Sequence, residues 1–189
     1  MDKSIDVEEM LLGDRNAIMT ALRITGYGQE YKVELECPAC NNRSKQAFDL
    51  ATLPLKRLEI EPVAPGANMF EFDLPVTKKK VRFKFTTGRD EREIQVISER
   101  QKKQGMTGDN LVTTRLQYAI QDVGGVKEKS KIQFFIANMP AMDSMKLRKY
   151  IDKNEPGIEM KSWMSCPHCS ESTEVRLPMG ASFFWPDDE

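Results

Sequence analysis

Apolar and charged residues alternate along Tyr31-Lys32-Val33-Glu34-Leu35-Glu36, and again along Val81-Arg82-Phe83-Lys84-Phe85. A period of two is the signature of a strand with one buried face. Gln46 to Leu50 reads as the strand returning from the first of these. Phe70-Glu71-Phe72-Asp73-Leu74 precedes the second, and Pro75-Val76-Thr77-Lys78 supplies the turn, so residues 70–85 predict a β-hairpin. Near the other end, Ile158 to Trp163 alternates in the same way, and Glu174-Val175-Arg176-Leu177 reads as its return.

Elsewhere the period lengthens to that of a helix. Asp6 is placed to cap a short turn over residues 7–12, Gly13 breaks it, and Asp14 caps a helix from Arg15 to Ile24. Ile18, Met19 and Leu22, with Ala21 beside them, form its expected buried stripe, and Gly26-Tyr27-Gly28 ends it. A charged helix is expected over 89–104, carried by Ile94 and Ile97. Another over 109–122 has Val112, Leu116, Ala119, Ile120 and Val123 on one face and stops at Gly124-Gly125. Two more fit 131–138 and 142–153, on either side of Pro140. A connector over 52–69 carries Pro54, Pro62, Pro65 and Gly66.

The pattern predicts an α+β protein with a helical middle and β-hairpins. It reads as one domain, 1–189, with three subregions. These are an N-terminal helix plus hairpin (1–52), a hairpin and helical middle (70–153), and a C-terminal hairpin with an aromatic tail (154–189).

The cysteines add chemistry to this frame. There are four, in two knuckles, Cys37-Pro38-Ala39-Cys40 and Cys166-Pro167-His168-Cys169, one near each end of the chain. Each knuckle lies between two predicted strands. A Cys-x-x-Cys turn sets two thiolates on one side of a bend, which is half of a tetrahedral zinc shell. Two such turns complete it, and proline after the first cysteine stiffens each turn. We therefore expect one structural zinc held by Cys37, Cys40, Cys166 and Cys169, joining the two hairpins in a zinc-ribbon-like arrangement. Disulfides or a redox dithiol are the rival readings. The polar residues after each knuckle, Asn41-Asn42-Arg43-Ser44 and Ser170-Glu171-Ser172-Thr173, suit a hairpin better than the helix that follows a thioredoxin-type motif. Strand, knuckle and strand recur at the two ends, each time after a helix, as a short internal repeat.

Composition narrows the function. The 189 residues are 40% hydrophobic and 30% charged, with a formal net charge of −1, so the chain as a whole does not advertise nucleic-acid binding. Lys78-Lys79-Lys80 with Arg82 and Lys84 is the densest basic stretch, and a phosphate or acidic partner is one reading of it. Glu71, Asp73, Asp90, Glu91 and Glu93 lie close in sequence and favour a solvated, charge-balanced face instead. His168 is the only histidine, so no second imidazole exists for a His-based acid–base or metal site. No phosphate-cradling glycine loop, nucleophile elbow or His-Glu-x-x-His is present. The acidic run Asp90-Glu91-Arg92-Glu93 is explained by a helix dipole, and no catalytic residue is expected. The charged N-terminus reads as lacking a signal peptide, and no apolar stretch approaches the roughly 20 residues of a membrane span. Eleven methionines hint at adaptable partner surfaces. Phe183-Phe184-Trp185 near the end either packs beneath the zinc hairpins or inserts into a partner.

Several segments together resemble a known family. They are Leu12-Gly13-Asp14-Arg15, Leu22-Arg23-Ile24-Thr25-Gly26-Tyr27-Gly28, and Tyr31 before the first Cys-Pro-x-Cys. Leu74-Pro75, Lys79-Lys80-Val81-Arg82-Phe83-Lys84, and the second Cys-Pro-x-Cys with Phe184-Trp185-Pro186 complete the set. The pattern resembles the small baseplate hub assembly proteins of contractile-tailed, T-even-type (myovirus) bacteriophages. That resemblance implies a non-enzymatic tail protein, made in the host cytoplasm, that helps to assemble the baseplate hub and either stays in the virion or leaves as a chaperone. It implies hub subunits and the tape-measure protein as partners, and leaves room for an oligomer within the baseplate. It implies no membrane partner and carries no binding residues over. Distant members need not share the cysteines, so zinc rests on this sequence alone. The alternative is a zinc-ribbon regulator that binds nucleic acid or RNA polymerase.

Overall fold

The computed structural model describes residues 6–103 and 110–185. In chain order the elements are helix α1 (Leu12–Tyr27), strands β1 (Glu30–Glu36), β2 (Arg43–Asp49), β3 (Leu55–Lys56), β4 (Phe70–Asp73) and β5 (Lys80–Phe83), and helices α2 (Gly88–Lys103) and α3 (Asn110–Ala119). They continue with β6 (Ile120–Val123), α4 (Lys129–Ala137), α5 (Ala141–Asn154), β7 (Gly157–Ile158), β8 (Lys161–Ser165), β9 (Ser172–Arg176) and the short α6 (Ala181–Phe184). The protein is α+β, with small antiparallel sheets. It divides into two compact units, residues 1–15 with 57–156 and residues 16–56 with 157–189.

The first unit is built on the predicted hairpin. β4 and β5 pair from Phe70↔Phe83 to Asp73↔Lys80, and Lys78 closes the turn in the left-handed region (φ 55°). The buried face of this hairpin is aromatic. Phe70 packs at a tilt against Phe85, 4.7 Å between ring centres, and Phe83 meets Phe85 edge-on at 5.8 Å. Leu116, Ile120, Ile132, Ile136 and Leu147 close the same core from the other elements. β6 adds a third strand, antiparallel to β5, with a register shift at Arg82/Phe83. The expectation of one helix through Asp122 is corrected here. Ile120 to Val123 is a strand, and its β-branched ends are buried opposite Phe83 and Val81. The helical face ends at Ala119 because pairing with β5 satisfies backbone groups that a longer helix would have satisfied within itself. Asp109 and Gln104, the outer limits of the two expected helices, lie outside the described residues.

Charged side chains fix how helices meet this sheet. Thr87 and Asp90 form a reciprocal capping box. Thr87 N–H donates to Asp90 Oδ2 at 3.0 Å, and Asp90 N–H donates to Thr87 Oγ1 at 3.3 Å, which starts α2 at Gly88. Lys84 Nζ donates to both oxygens of Asp90, at 2.8 and 2.7 Å. Burial would raise the Asp90 carboxyl, but Lys84 and Thr87 outweigh it and hold it below the ordinary carboxylate range. Two further bases of the stretch are engaged, since Lys80 and Arg82 both reach Glu71, at 3.0 and 2.9 Å. For Lys80, Arg82 and Lys84 the balance expected from the sequence is thus realised as specific pairs.

Asp143 makes the second such joint. It lies in the first turn of α5 with no exposed surface. Its Oδ1 accepts from Val76 N–H at 2.7 Å, and its Oδ2 accepts from Thr77 N–H at 3.0 Å and Thr77 Oγ1 at 2.8 Å. One carboxylate thus locks the turn of the β4–β5 hairpin onto a helix.

The second unit carries the two knuckle hairpins, β1–β2 in register from Glu30↔Asp49 to Glu36↔Arg43 and β8–β9 from Lys161↔Arg176 to Ser165↔Ser172. Its core holds Tyr31, Phe48, Leu50, Met160, Met164 and Phe183. Tyr31 meets Phe183 edge-on at 5.0 Å and donates its hydroxyl to Pro178 O at 2.8 Å. The aromatic tail therefore divides its roles: Phe183 is buried, Phe184 half-buried and Trp185 exposed. The expected strand from Ile158 to Trp163 is split. β7 pairs with β3, and Met160 leaves the strand pattern to enter the core before β8 begins.

Two expectations for α1 are corrected. The helix begins at Leu12 and runs through Gly13, with Leu12 N–H bonded to Thr86 O at 2.8 Å. Its buried residues are Thr20 and Arg23, whereas Ile18 and Leu22 are exposed. Arg23 is buried because its guanidinium donates to the carbonyls of Gly28 (2.9 Å) and Glu30 (3.1 Å), which ties the helix end to the start of β1. Gly28 at φ 85°, bonded to Ile24 O at 2.9 Å, ends the helix as the sequence predicts.

Asp143→Ala is expected to destabilise the first unit by about 2–4 kcal/mol, because two amides and a hydroxyl lose a buried acceptor. Urea unfolding followed by circular dichroism measures it. Despite its burial, the hydrogen bonds from Val76 and Thr77 hold the Asp143 carboxyl below its ordinary value. Its stabilisation is therefore complete above the unfolded-state value of about 3.9 and is lost as pH falls through the lower folded value. Wild type should lose this increment on acidification, and Asp143→Ala should not.

Candidate metal centre

Each knuckle is a tight turn closed by backbone hydrogen bonds. In the first, Asn41 N–H bonds Cys37 O at 2.8 Å and Cys37 N–H bonds Asn42 O at 2.9 Å. In the second, Ser170 N–H bonds Cys166 O at 2.9 Å and Cys166 N–H bonds Glu171 O at 2.9 Å. Asn41 and Ser170, at matching positions, both adopt φ 58°. Asparagine tolerates the left-handed region because its short polar side chain costs little there. The strand–knuckle–strand repeat seen in the sequence is thus repeated hydrogen bond for hydrogen bond.

The turns bring all four cysteines together. Their Sγ atoms lie within 4.8 Å of one another. Cys37 Sγ is 3.8 Å from Cys169 Sγ, and Cys40 Sγ is 3.7 Å from Cys166 Sγ. Sulfurs bound at about 2.3 Å to one tetrahedral ion stand about 3.8 Å apart, so both cross-hairpin distances fit the edge of such a shell. All four are free cysteines. Cys37 and Cys166 are buried, Cys40 is half-buried and Cys169 is exposed, so the cluster sits at the edge of the second unit's core.

The surroundings favour thiolate at one position and resist it at another. Backbone hydrogen bonding from Cys169, helped by the His168 amide, outweighs burial and lowers the Cys166 thiol to about 6. The Glu171 amide favours the Cys169 thiolate, but burial and the sulfurs of Cys166, Cys40 and Cys37 prevail and push it to about 12. This is the behaviour of sulfurs crowded around one point, where each added negative charge opposes the next. A divalent cation removes that opposition. Asn42 Nδ2, 3.5 Å from Cys40 Sγ, adds a donor of the kind that steadies metal thiolates. Gln46 Nε2 reaches Ser165 O at 3.4 Å, and so connects the two hairpins beside the cluster.

His168 is exposed and stands outside the four-sulfur group. Asn42 and Gln46 were not picked out from the sequence. The one hint of Asn42 is its place in the polar turn after Cys40, and Gln46 has none, because its partner is remote in the chain.

Among the described residues no helix is long and apolar enough to cross a membrane. A family model described as T4 bacteriophage base plate protein matches residues 1–185. No curated protein and no solved structure matches the chain.

The left-handed turn residues provide a test of the knuckle geometry. Asn41→Val should lower stability by about 1–2 kcal/mol, since a β-branched side chain is strained at φ 58°. Asn41→Gly should be nearly neutral. Thermal unfolding of the two variants distinguishes them.

Proposed function

The chain belongs to the T4 bacteriophage base plate protein family, and from that membership we propose that it is a non-enzymatic component or assembly factor of the baseplate hub. In this reading it binds hub subunits, the tape-measure protein or both through a zinc-stabilised scaffold. It is made and assembled in the host cytoplasm. The carrying observation is the extent of the family match, residues 1–185, which includes the first unit, both knuckles and all but the last four residues of the second unit. A baseplate protein associates with the virion tail and works by contact with other baseplate proteins.

The zinc part of the proposal rests on donor chemistry. Four cysteine sulfurs within one coordination sphere suit a soft, tetrahedral site, and zinc is the common occupant. With Cys37, Cys40, Cys166 and Cys169 all as ligands, no position is left open for substrate, so the ion's part is structural. Ligation would join hairpins from distant stretches of chain, and its free energy would become folding free energy of the second unit. The nucleic-acid alternative gains little support, because Lys80, Arg82 and Lys84 are held by Glu71 and Asp90.

Two experiments test the proposal. Tagged protein recovered from infected cells should bring hub and tape-measure proteins, identified by mass spectrometry; RNA polymerase or nucleic acid in their place would overturn the hub reading. Metal analysis of the purified chain should find one zinc per chain. Cys37→Ser and Cys166→Ser should each lose the metal, become protease-sensitive in the second unit and fail to enter tails. A metal-free variant that is soluble and incorporated normally would sink the zinc scaffold while leaving the hub assignment standing.

A further inference from the structure

The basic stretch at the β4–β5 turn divides into two parts. Lys80, Arg82 and Lys84 each have a carboxylate. Among the described residues, Lys78 and Lys79 have none within ion-pair distance. Lys79 instead lies over the ring of Phe135 in α4, 5.1 Å from its centre. The same turn is bonded to Asp143, so the two lysines are held against the start of α5. On that helix Met142, Lys146, Lys149 and Lys153 recur every three or four residues and are all exposed. They form one stripe about 16 Å long. Its three lysines likewise lack a carboxylate partner among the described residues. Large apolar side chains are left in water on the elements that meet at this turn: Phe134 of α4 is 73% exposed, Val76 of the turn 53%, and Met142 at the head of the stripe 48%.

Unpaired positive charge beside exposed aromatic and aliphatic surface has a definite complement. From this juxtaposition we infer that the face formed by the 75–79 turn, the end of α4 and the length of α5 is a docking surface for an acidic protein segment with apolar anchors. Charge complementarity selects the acidic partner: Lys78 acts on the buried Asp143 carboxylate, but Lys79, Lys146, Lys149 and Lys153 have no carboxylate partner among the described residues. The apolar residues select protein over a phosphate backbone. Phe134 and Met142 gain from burial against side chains, and phosphate offers them nothing. Asp143 holds the turn in place before a partner arrives, which lowers the ordering cost of binding.

This surface rests on the baseplate reading, and the test separates the two. A photo-crosslinking residue replaces Phe134 in the full chain, expressed during infection in place of wild type, and cross-linked peptides are mapped by mass spectrometry. The expected product is a segment of another tail protein with several carboxylates around apolar residues. Its yield should fall roughly tenfold in Lys146→Glu/Lys149→Glu and less in Lys146→Ala/Lys149→Ala. Both pairs are exposed, and an unchanged Tm verifies folding. Cross-links to nucleic acid, to a neutral or basic segment, or in equal yield after charge reversal overturn the assignment. Sedimentation of the wild-type chain with tails is measured in parallel. Wild type that sediments with tails but gives no acidic cross-link overturns this surface alone. A wild-type chain absent from tails overturns the hub reading, and the surface falls with it.

Discussion

The second unit depends on drawing four sulfurs from two distant stretches of chain into a sphere less than 5 Å across. Residues 16–56 and 157–189 must meet while residues 57–156 lie outside the unit. Closing a loop of that length costs about 4 kcal/mol of chain entropy before any contact is made. Crowded sulfurs do not repay it alone, as the opposed shifts of Cys166 and Cys169 indicate. Burial of Tyr31, Phe48, Met160, Met164 and Phe183 supplies the apolar part. The proposed ion would supply the rest, at a point where the core has already placed Cys37 and Cys166. The two contributions are coupled: the sulfurs converge because the hairpins pack, and the hairpins gain a permanent joint if the sulfurs are ligated.

The first unit solves its joints differently, with buried carboxylates. Asp90 caps α2 while gripping Lys84, and Asp143 caps nothing in its own helix but accepts three hydrogen bonds from a turn. Tyr118 and Arg115 of α3 reach Glu93 and Glu91 of α2, which adds two further polar ties between helices. These interactions are directional, so they set where helices stand on the sheet more than they set total stability. The unit's lysines are consequently of two kinds, those consumed by internal pairing and those left facing solvent.

What could be read from the sequence follows the range of the interactions involved. Both knuckles, the β4–β5 hairpin and α5 were legible because their signals are local: alternation, turn residues and cysteine spacing. The start and buried face of α1 and the end of α3 were not. Ile18 and Leu22 mark a plausible buried stripe, yet Arg23 takes the interior face because two carbonyls beyond the helix end, those of Gly28 and Glu30, are there to receive it. Ile120 and Val123 continue a helical spacing from Leu116, and only the neighbouring β5 turns them into a strand. Asp143 gave no signal at all, since its partners stand 66 and 67 residues away. In the candidate site the four cysteines were visible and the supporting amides of Asn42 and Gln46 were not, for the same reason.

The spacing of the two knuckles has a consequence in time. Cys40 and Cys166 are 126 residues apart, so at ribosomal rates the first pair of thiols exists for roughly 6–25 s before the second has been synthesised. During that interval β1 and β2 can close their turn, but half a coordination shell has nothing to converge on. A nascent chain in this state presents two reduced sulfurs and one uncovered hairpin face to the cell. The second unit can therefore be completed only after the intervening residues 57–156 have been synthesised.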